Sequence, residues 1–312
     1  MISGGDRKMA TAFSNADRAE VLTQALPYFK KYYGKTVVVK YGGNAMLTED
    51  LQQQVMEDIV LLHLVGVRVV LVHGGGPEIT GMLKRVGKES QFVNGLRVTD
   101  KETVEIAQMV LAGKINKTLV TYLEAKGGSA IGLSGMDGRM ITAKMKDPAF
   151  GYVGEITKVN PVPIRDLLER GYIPVISSLG CDKEGNVYNI NADTAAAKIA
   201  SALHAQRLIL MTNIQGLLKD KDDPTSLIPL IDMEEAEGMI GSGIISGGMI
   251  PKIECCITAL KNNVSKVIIM DGRIPHSVLM ELFTDTGAGT MIVKKKKAEK
   301  DTANKNDERT DD

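Results

Sequence analysis

The spacing of hydrophobic positions changes several times along the chain, and each change marks an element. In ADRAEVLTQALPYFKKYYG, Val21, Leu22, Ala25, Leu26 and Phe29 recur at helical intervals before Gly34, which predicts one amphipathic helix. Two uses of it stay open on pattern alone: packing on its own domain, or offering Leu26, Phe29 and Tyr32 to another subunit. Thr36 to Lys40 (TVVVK) is a continuous β-branched run that passes into YGGNAM and then into the helical LTEDLQQQVMEDIVLLHLVG. Val67 to His73 repeats the arrangement, ending in GGGPEI and another helix. Buried strands that end in glycines and lead into helices indicate parallel βαβ construction. Strands of the same character fall at Ser129 to Gly135, Ile173 to Gly180, Arg207 to Asn213 and Lys266 to Gly272, with a short last one in GTMIVK. Helical patterns fill the intervals at KETVEIAQMVLAGKINKTLVTYLEAKG, PVPIRDLLERG, NADTAAAKIASALHA and Gly248 through Leu260. KESQFVNGLRV and MITAKMKDPAFGYVGEITKV alternate about turn glycines and read as hairpins. The expected fold class is α/β, an αβα sandwich around a central, mainly parallel sheet.

Composition narrows the class of function. With 312 residues, 44% of them apolar, the chain can build a large core. Its 38 basic and 38 acidic side chains cancel, so neither nucleic acid nor membrane is an expected partner. Three cysteines, two of them adjacent at Cys255 and Cys256, form no disulfide or zinc pattern and suit a reducing compartment. No apolar run approaches the ~20 residues needed to cross a bilayer and no secretory leader is evident, so a cytoplasmic location is expected, or the plastid stroma in a photosynthetic eukaryote. The pattern divides the chain into an N-terminal extension (1–34), an early lobe (35–179), a later lobe (180–294) and a charged tail (295–312) expected to be disordered.

Four clusters can carry chemistry. Lys40, Gly42 and Gly43 end the first strand, where exposed N–H groups and an ammonium can hold phosphate oxygens; a tight turn with a snorkelling lysine is the plain alternative. Gly74, Gly75 and Gly76 uncover the backbone at the same sheet edge, in neither a GxxxxGK[ST] nor a GxGxxG pattern, while His73 lacks companion ligands and reads as a packed histidine. Arg97, in NGLRVTD, can fork onto a carboxylate or lie on the surface. In YNINADTAAAKIA, Asn189, Asn191 and Asp193 can cap a helix or meet a polar ligand and anchor lysines. Lys252 follows the glycine-rich GSGIISGGMIP, and together with Lys40 it points to phosphoryl transfer.

The ordered set KYGGNAM, LVHGGGPEI, NGLRVTD, NINADTAAAKIA and GGMIPKIECCITAL resembles the amino acid kinase family across roughly Thr36 to Lys294. NGLRVTD and NINAD resemble most the branch that phosphorylates N-acetyl-L-glutamate in arginine biosynthesis; aspartate, carbamate or glutamate phosphorylation and a non-catalytic arginine sensor are the alternatives. The resemblance implies an enzyme that transfers the γ-phosphate of ATP to a side-chain carboxylate, with Mg2+ accompanying the nucleotide and no protein metal ligand. It implies catalytic roles for Lys40, Lys252 and Asp193, and acceptor contacts from Gly75, Gly76, Arg97 and Asn189. Nucleotide contacts would come from Gly42, Gly43, Thr212, Asn213, Gly216, Leu217, Gly241, Gly243, Gly247 and Gly248. Arginine-inhibited hexamers of the family carry a comparable N-terminal helix. That implies a trimer of dimers joined through it, and L-arginine bound by Tyr33, Lys219, His276, Glu281 and Gly289. Phototrophic relatives add the PII signalling protein as a candidate partner.

Overall fold

The computed structural model describes residues 14–43, 48–93, 95–220, 223 and 225–295. The first thirteen residues, residues 44–46 of YGGNAM, Asn94 of NGLRVTD and the tail beyond Lys295 lie outside the described residues. In chain order the strands are β1 (Thr36–Tyr41), β2 (Arg68–His73), β3 (Phe92–Val93), β4 (Leu96–Arg97), β5 (Ala130–Ser134), β6 (Ile141–Met145), β7 (Gly154–Val159), β8 (Ile173–Ser177), β9 (Leu179–Cys181), β10 (Val187–Asn189), β11 (Arg207–Thr212), β12 (Leu230–Asp232), β13 (Lys266–Asp271) and β14 (Gly289–Val293). The α-helices are α1 (Asn15–Gln24), α2 (Leu26–Tyr32), α3 (Glu49–Leu64), α4 (Gly76–Arg85), α5 (Lys101–Gln108), α6 (Asn116–Ala125), α7 (Val162–Glu169), α8 (Ala192–Leu203), α9 (Met233–Gly241), α10 (Met249–Lys261) and α11 (Ser277–Phe283).

Eight strands form one sheet in the order β12-β14-β13-β11-β1-β2-β8-β5. From β13 across to β5 the neighbours are parallel. β14 runs antiparallel to β13, and β12 follows β14. The chain enters at β1, in the middle, then fills one side with β2, β8 and β5 and the other with β11, β13, β14 and β12. The strand order therefore reverses at β1, which opens a crevice beyond its carboxyl end.

Alternation along β1 feeds two cores. Val37, Val39 and Tyr41 join Val69 and Leu71 under α3 and α6, whereas Val38 joins Val70 and Val72 under α8 and α10. Ala195, Ala196 and Ala200 are fully buried on α8, and such short side chains let that helix lie close to the sheet and to α10. The sandwich is thus αβα, as the pattern predicts.

Several elements differ from the sequence reading. The single N-terminal helix is two helices divided at Ala25. Pro27 has no N–H and its ring crowds the carbonyl of Thr23, which breaks the helical ladder. Phe29 and Tyr32 do not point outward: Phe29 meets Phe283 edge to face at 5.0 Å, and buried Tyr32 lies 6.4 Å from the same ring. Val21, Leu22, Leu26 and Tyr33 are the large apolar side chains this segment leaves exposed. The run from Ile173 to Gly180 breaks at Ser178, because β8 pairs within the large sheet while β9 joins a second sheet, β10-β9-β6-β7. β10, β12 and α9 carry too little periodicity to be read from the sequence. The two hairpins are present as β3–β4 and β6–β7. Between α5 and α6 the chain stays helical, but Met109–Ile115 winds as a π-helix. Among the described residues no helix is long and apolar enough to cross a membrane.

Asn116 locks one half of the sheet. It is fully buried, and its Nδ2 donates to Leu133 O at 3.1 Å and Val175 O at 2.9 Å, on β5 and β8. Replacing it with alanine removes the donor from both carbonyls, so Asn116→Ala is expected to lower stability by about 2–3 kcal/mol in urea denaturation.

Candidate active site

Three elements converge at the carboxyl end of β1. Lys40 is the penultimate residue of the strand, Asp193 sits in the first turn of α8 and Lys252 in the first turn of α10. Lys40 Nζ lies 3.0 Å from Asp193 Oδ1, and Lys252 Nζ donates to Asp193 Oδ2 at 2.5 Å. In the NINAD segment Asn191 caps α8 by accepting from Thr194 N at 3.0 Å, and Asp193 anchors the two lysines. Burial pushes the Asp193 carboxyl up, but the charges and hydrogen bonds of the two lysines outweigh it and hold the group at about 2. The trio keeps a net positive charge at physiological pH.

Beside it lies a cavity of about 190 Å³ lined by Lys40, Gly42, Gly43, Gly75, Gly76, Arg97 and Asn189 among others. The candidate acceptor residues are therefore gathered with Lys40. Gly75 precedes α4 without a side-chain cap, so the first-turn N–H groups of that helix are left for a ligand. A Cβ on Gly75 would lie 2.1 Å from Ile115 Cδ1 and 2.9 Å from Leu111 Cδ2, which only glycine avoids. Arg97 is buried: its Nη2 donates to Gly76 O and Thr80 Oγ1, both at 2.8 Å, its Nη1 donates to Ser90 Oγ, and its guanidinium lies 4.6 Å from the Phe92 ring centre. Burial lowers its pKa without removing its charge. His73 is packed, with Nδ1 3.0 Å from Gly74 O and Nε2 3.1 Å from Asn116 Nδ2, and burial pushes it down to about 4. It is neutral at physiological pH.

The other candidate residues lie elsewhere. Thr212 ends β11 and donates to Ile214 O at 3.1 Å, Asn213 is exposed, and Gly216 and Leu217 pack at Thr290, whose hydroxyl accepts from Leu217 N at 2.8 Å. Gly241 closes α9, Gly243 and Gly247 turn with φ of 78° and 56°, and Gly248 precedes α10. None of these lines the cavity at Lys40. Tyr33 and Lys219 are exposed, Glu281 is buried and accepts from Ala288 N at 2.7 Å, and Gly289 opens β14 against Ile269 O. His276 Nδ1 lies 2.6 Å from Asp58 Oδ1, and burial pushes Asp58 up to about 6 against the pull of His276. His276 borders a separate cavity with Gln53, Gln54 and Lys126, which Tyr33, Lys219, Glu281 and Gly289 do not line. Sequence reasoning missed Thr80, Ser90, Phe92 and Leu111 at the site. Only the apolar Phe92 beside Arg97 carried any signal, as a cation–π partner in the hairpin.

The model of the amino acid kinase family matches residues 35–271, from the start of β1 to the end of β13. The chain belongs to the amino acid kinase family. The acetylglutamate kinase of Brachyspira hyodysenteriae is 54% identical over 283 residues, 90% of this chain and 98% of the relative. That of Moorella thermoacetica is 52% identical over 291 residues, again 90% and 98%. Among solved structures, N-acetylglutamate synthase from Neisseria gonorrhoeae, complexed with coenzyme A and N-acetyl-glutamate, is similar at a TM-score of 0.79 and 27% identity. That match covers 89% of this chain and 64% of the synthase, so this chain spans under two thirds of that longer one. Carbamate kinase from Giardia lamblia bound to AMP-PNP, at TM-score 0.62 and 20% identity over 84% of this chain and 99% of its own, shares the family fold. The expected α/β sandwich is that fold.

Removing the central carboxylate would leave two ammonium groups facing each other. Asp193→Asn is expected to cost about 3 kcal/mol at pH 7 by urea denaturation. Because Asp193 titrates at about 2 rather than the ordinary 3.8, its contribution is complete above about pH 4 and is lost as pH falls through 2. The asparagine variant should lack that acid-side dependence.

Proposed function

We propose that the chain transfers the γ-phosphate of ATP to the side-chain carboxylate of N-acetyl-L-glutamate, giving N-acetyl-L-glutamyl 5-phosphate and ADP in arginine biosynthesis. The observation that carries this reading is the Lys40–Asp193–Lys252 trio, whose Lys40 lines a cavity together with Gly75 and Gly76 at the start of α4 and Arg97. Relatives that span nearly their full length support the choice of acceptor.

The chemistry asks little of the protein beyond placement and charge. The acceptor carboxylate is already ionised at pH 7, so no general base is required, in keeping with a neutral, packed His73. Lys40 and Lys252 neutralise charge developing on the transferred phosphoryl group, and Asp193 fixes their ammonium groups. Gly75 and Gly76 hold the acceptor by backbone N–H groups, Arg97 takes its α-carboxylate and Asn189 its acetylamino end. ATP lies on the later lobe (180–294), with Gly42, Gly43, the Thr212 to Leu217 turn and the Gly241 to Gly248 loop around it; the early lobe (35–179) binds acceptor and forms dimers. Among the described residues no group of three His, Cys, Asp or Glu converges as a metal site, and both Asp193 oxygens face lysines. Mg2+ would accordingly be carried by the phosphates, supplying further charge neutralisation there. Tyr33, Lys219, His276, Glu281 and Gly289 bind inhibitory L-arginine, and α1 joins dimers into a hexamer through its exposed Val21 and Leu22. A cytoplasmic location fits three unpaired cysteines, and PII is a further candidate partner.

An ATP-dependent hydroxamate assay with N-acetyl-L-glutamate, glutamate, aspartate and carbamate, with and without arginine, tests the reading; turnover confined to another acceptor, or none, would overturn it. Lys252→Ala should lower kcat about 100-fold or more with a smaller change in KM, whereas a rise in KM alone contradicts a transition-state role. Deleting residues 1–34 should reduce the hexamer to dimers in light scattering and weaken arginine inhibition.

A further inference from the structure

The π-helical segment Met109–Ile115 is the part of the helical run from 101 to 125 that reaches the cavity, through Leu111. In a π-turn an N–H reaches the carbonyl five residues back, and here Asn116 N donates to Leu111 O. In an α-helix, positions five apart point about 140° away from each other. The π register instead brings Leu111 and Asn116 toward one side. Asn116 cannot shift, because its buried Nδ2 is bonded to carbonyls of β5 and β8. Leu111 is thus hung from the sheet by its own carbonyl.

Its side chain is 1% exposed and presses on the backbone at Gly75, where a Cβ would lie 2.9 Å from Leu111 Cδ2. That stretch of backbone runs between the two cationic groups of the cavity. A Cβ on Gly42 would sit 3.7 Å from Lys40 Nζ and 3.4 Å from Gly74 N, which places Lys40 at the Gly74 side. Arg97 is bonded to Gly76 O at 2.8 Å, on the other side. An acceptor with one carboxylate at each cation lays its carbon chain across Gly75, against Leu111. We propose that Leu111, held by the π-turn, is a specificity-determining residue that sets the number of carbons allowed between the acceptor's two carboxylates. The inference rests on the acceptor reading given under Proposed function.

The test compares kcat/KM for N-acetyl-L-glutamate and for N-acetyl-L-2-aminoadipate, one methylene longer, in the wild type, Leu111→Ala and Leu111→Val. One methylene in an apolar pocket is worth roughly 10–200-fold, so Leu111→Ala should shift the ratio toward the longer acceptor by about tenfold or more. Leu111→Val should shift it the same way by less, with KM for ATP unchanged in both. The valine variant decides the matter if the alanine variant does not fold. An unchanged ratio alongside wild-type turnover of N-acetyl-L-glutamate overturns the role of Leu111 alone; absence of that wild-type turnover overturns the acceptor reading as well.

Discussion

The carboxylate of Asp193 is the constraint on which the site depends. It faces Lys40 at 3.0 Å and Lys252 at 2.5 Å, and so ties β1, α8 and α10 together although they lie far apart in sequence. Two ammonium groups this near one another repel, and a largely buried setting gives that repulsion more weight than water would. A single anion between them converts the repulsion into a defined geometry. The anion is itself favoured by its place in the first turn of α8, where the helix dipole presents positive charge. Burial pulls against ionisation of the carboxyl, yet the two lysines hold it at about 2, so their charges and hydrogen bonds outweigh desolvation.

Position in the sheet places Lys40 at open space. β1 lies where strand order reverses, with β2 on one side and β11 on the other, and a crevice opens beyond its carboxyl end. The second cation is built separately. Arg97 arrives on β4 and is fastened to the opening of α4 through Gly76 O and Thr80, which fixes the guanidinium beside the helix N-terminus. A chain with balanced overall charge thereby concentrates lysine, arginine and uncapped N–H groups around one cavity, which suits two anionic substrates. The glycines at 42, 43, 75 and 76 serve the same end, since side chains there would close the approach or meet neighbouring atoms.

Much of this was legible in the sequence because the central strands are continuous β-branched runs ending in glycines. Lys40 and the glycines after it, Gly74 to Gly76 and Arg97 were marked by local context that few structural roles demand. Asn191 and Asp193 were not separable by pattern, since either can cap a helix; only the direction of each side chain divides the work. Leu111 and Asn116 were invisible for a different reason. The apolar spacing through KETVEIAQMVLAGKINKTLV looks ordinary, and a π-turn changes hydrogen-bond register without changing composition. The break at Ala25 was available in principle from Pro27, but the apolar spacing continues across it and masks the interruption.

The N-terminal segment illustrates how a helix can serve its own chain and still present a face. α2 is fastened to α11 by the Phe29–Phe283 contact, and to the turn just beyond that helix by the Tyr28 hydroxyl, which donates to Asp285 at 2.5 Å. α11 is in turn fastened at its start, where His276 meets Asp58 of α3, and at its end, where Glu281 accepts from Ala288 N ahead of β14. α1 has no buried residue of its own and depends on α2 for its position. α1 is thus linked through α2 and its packed aromatic rings to α11, and from there both to α3 and to the segment that leads into β14, the antiparallel strand in the later half of the sheet.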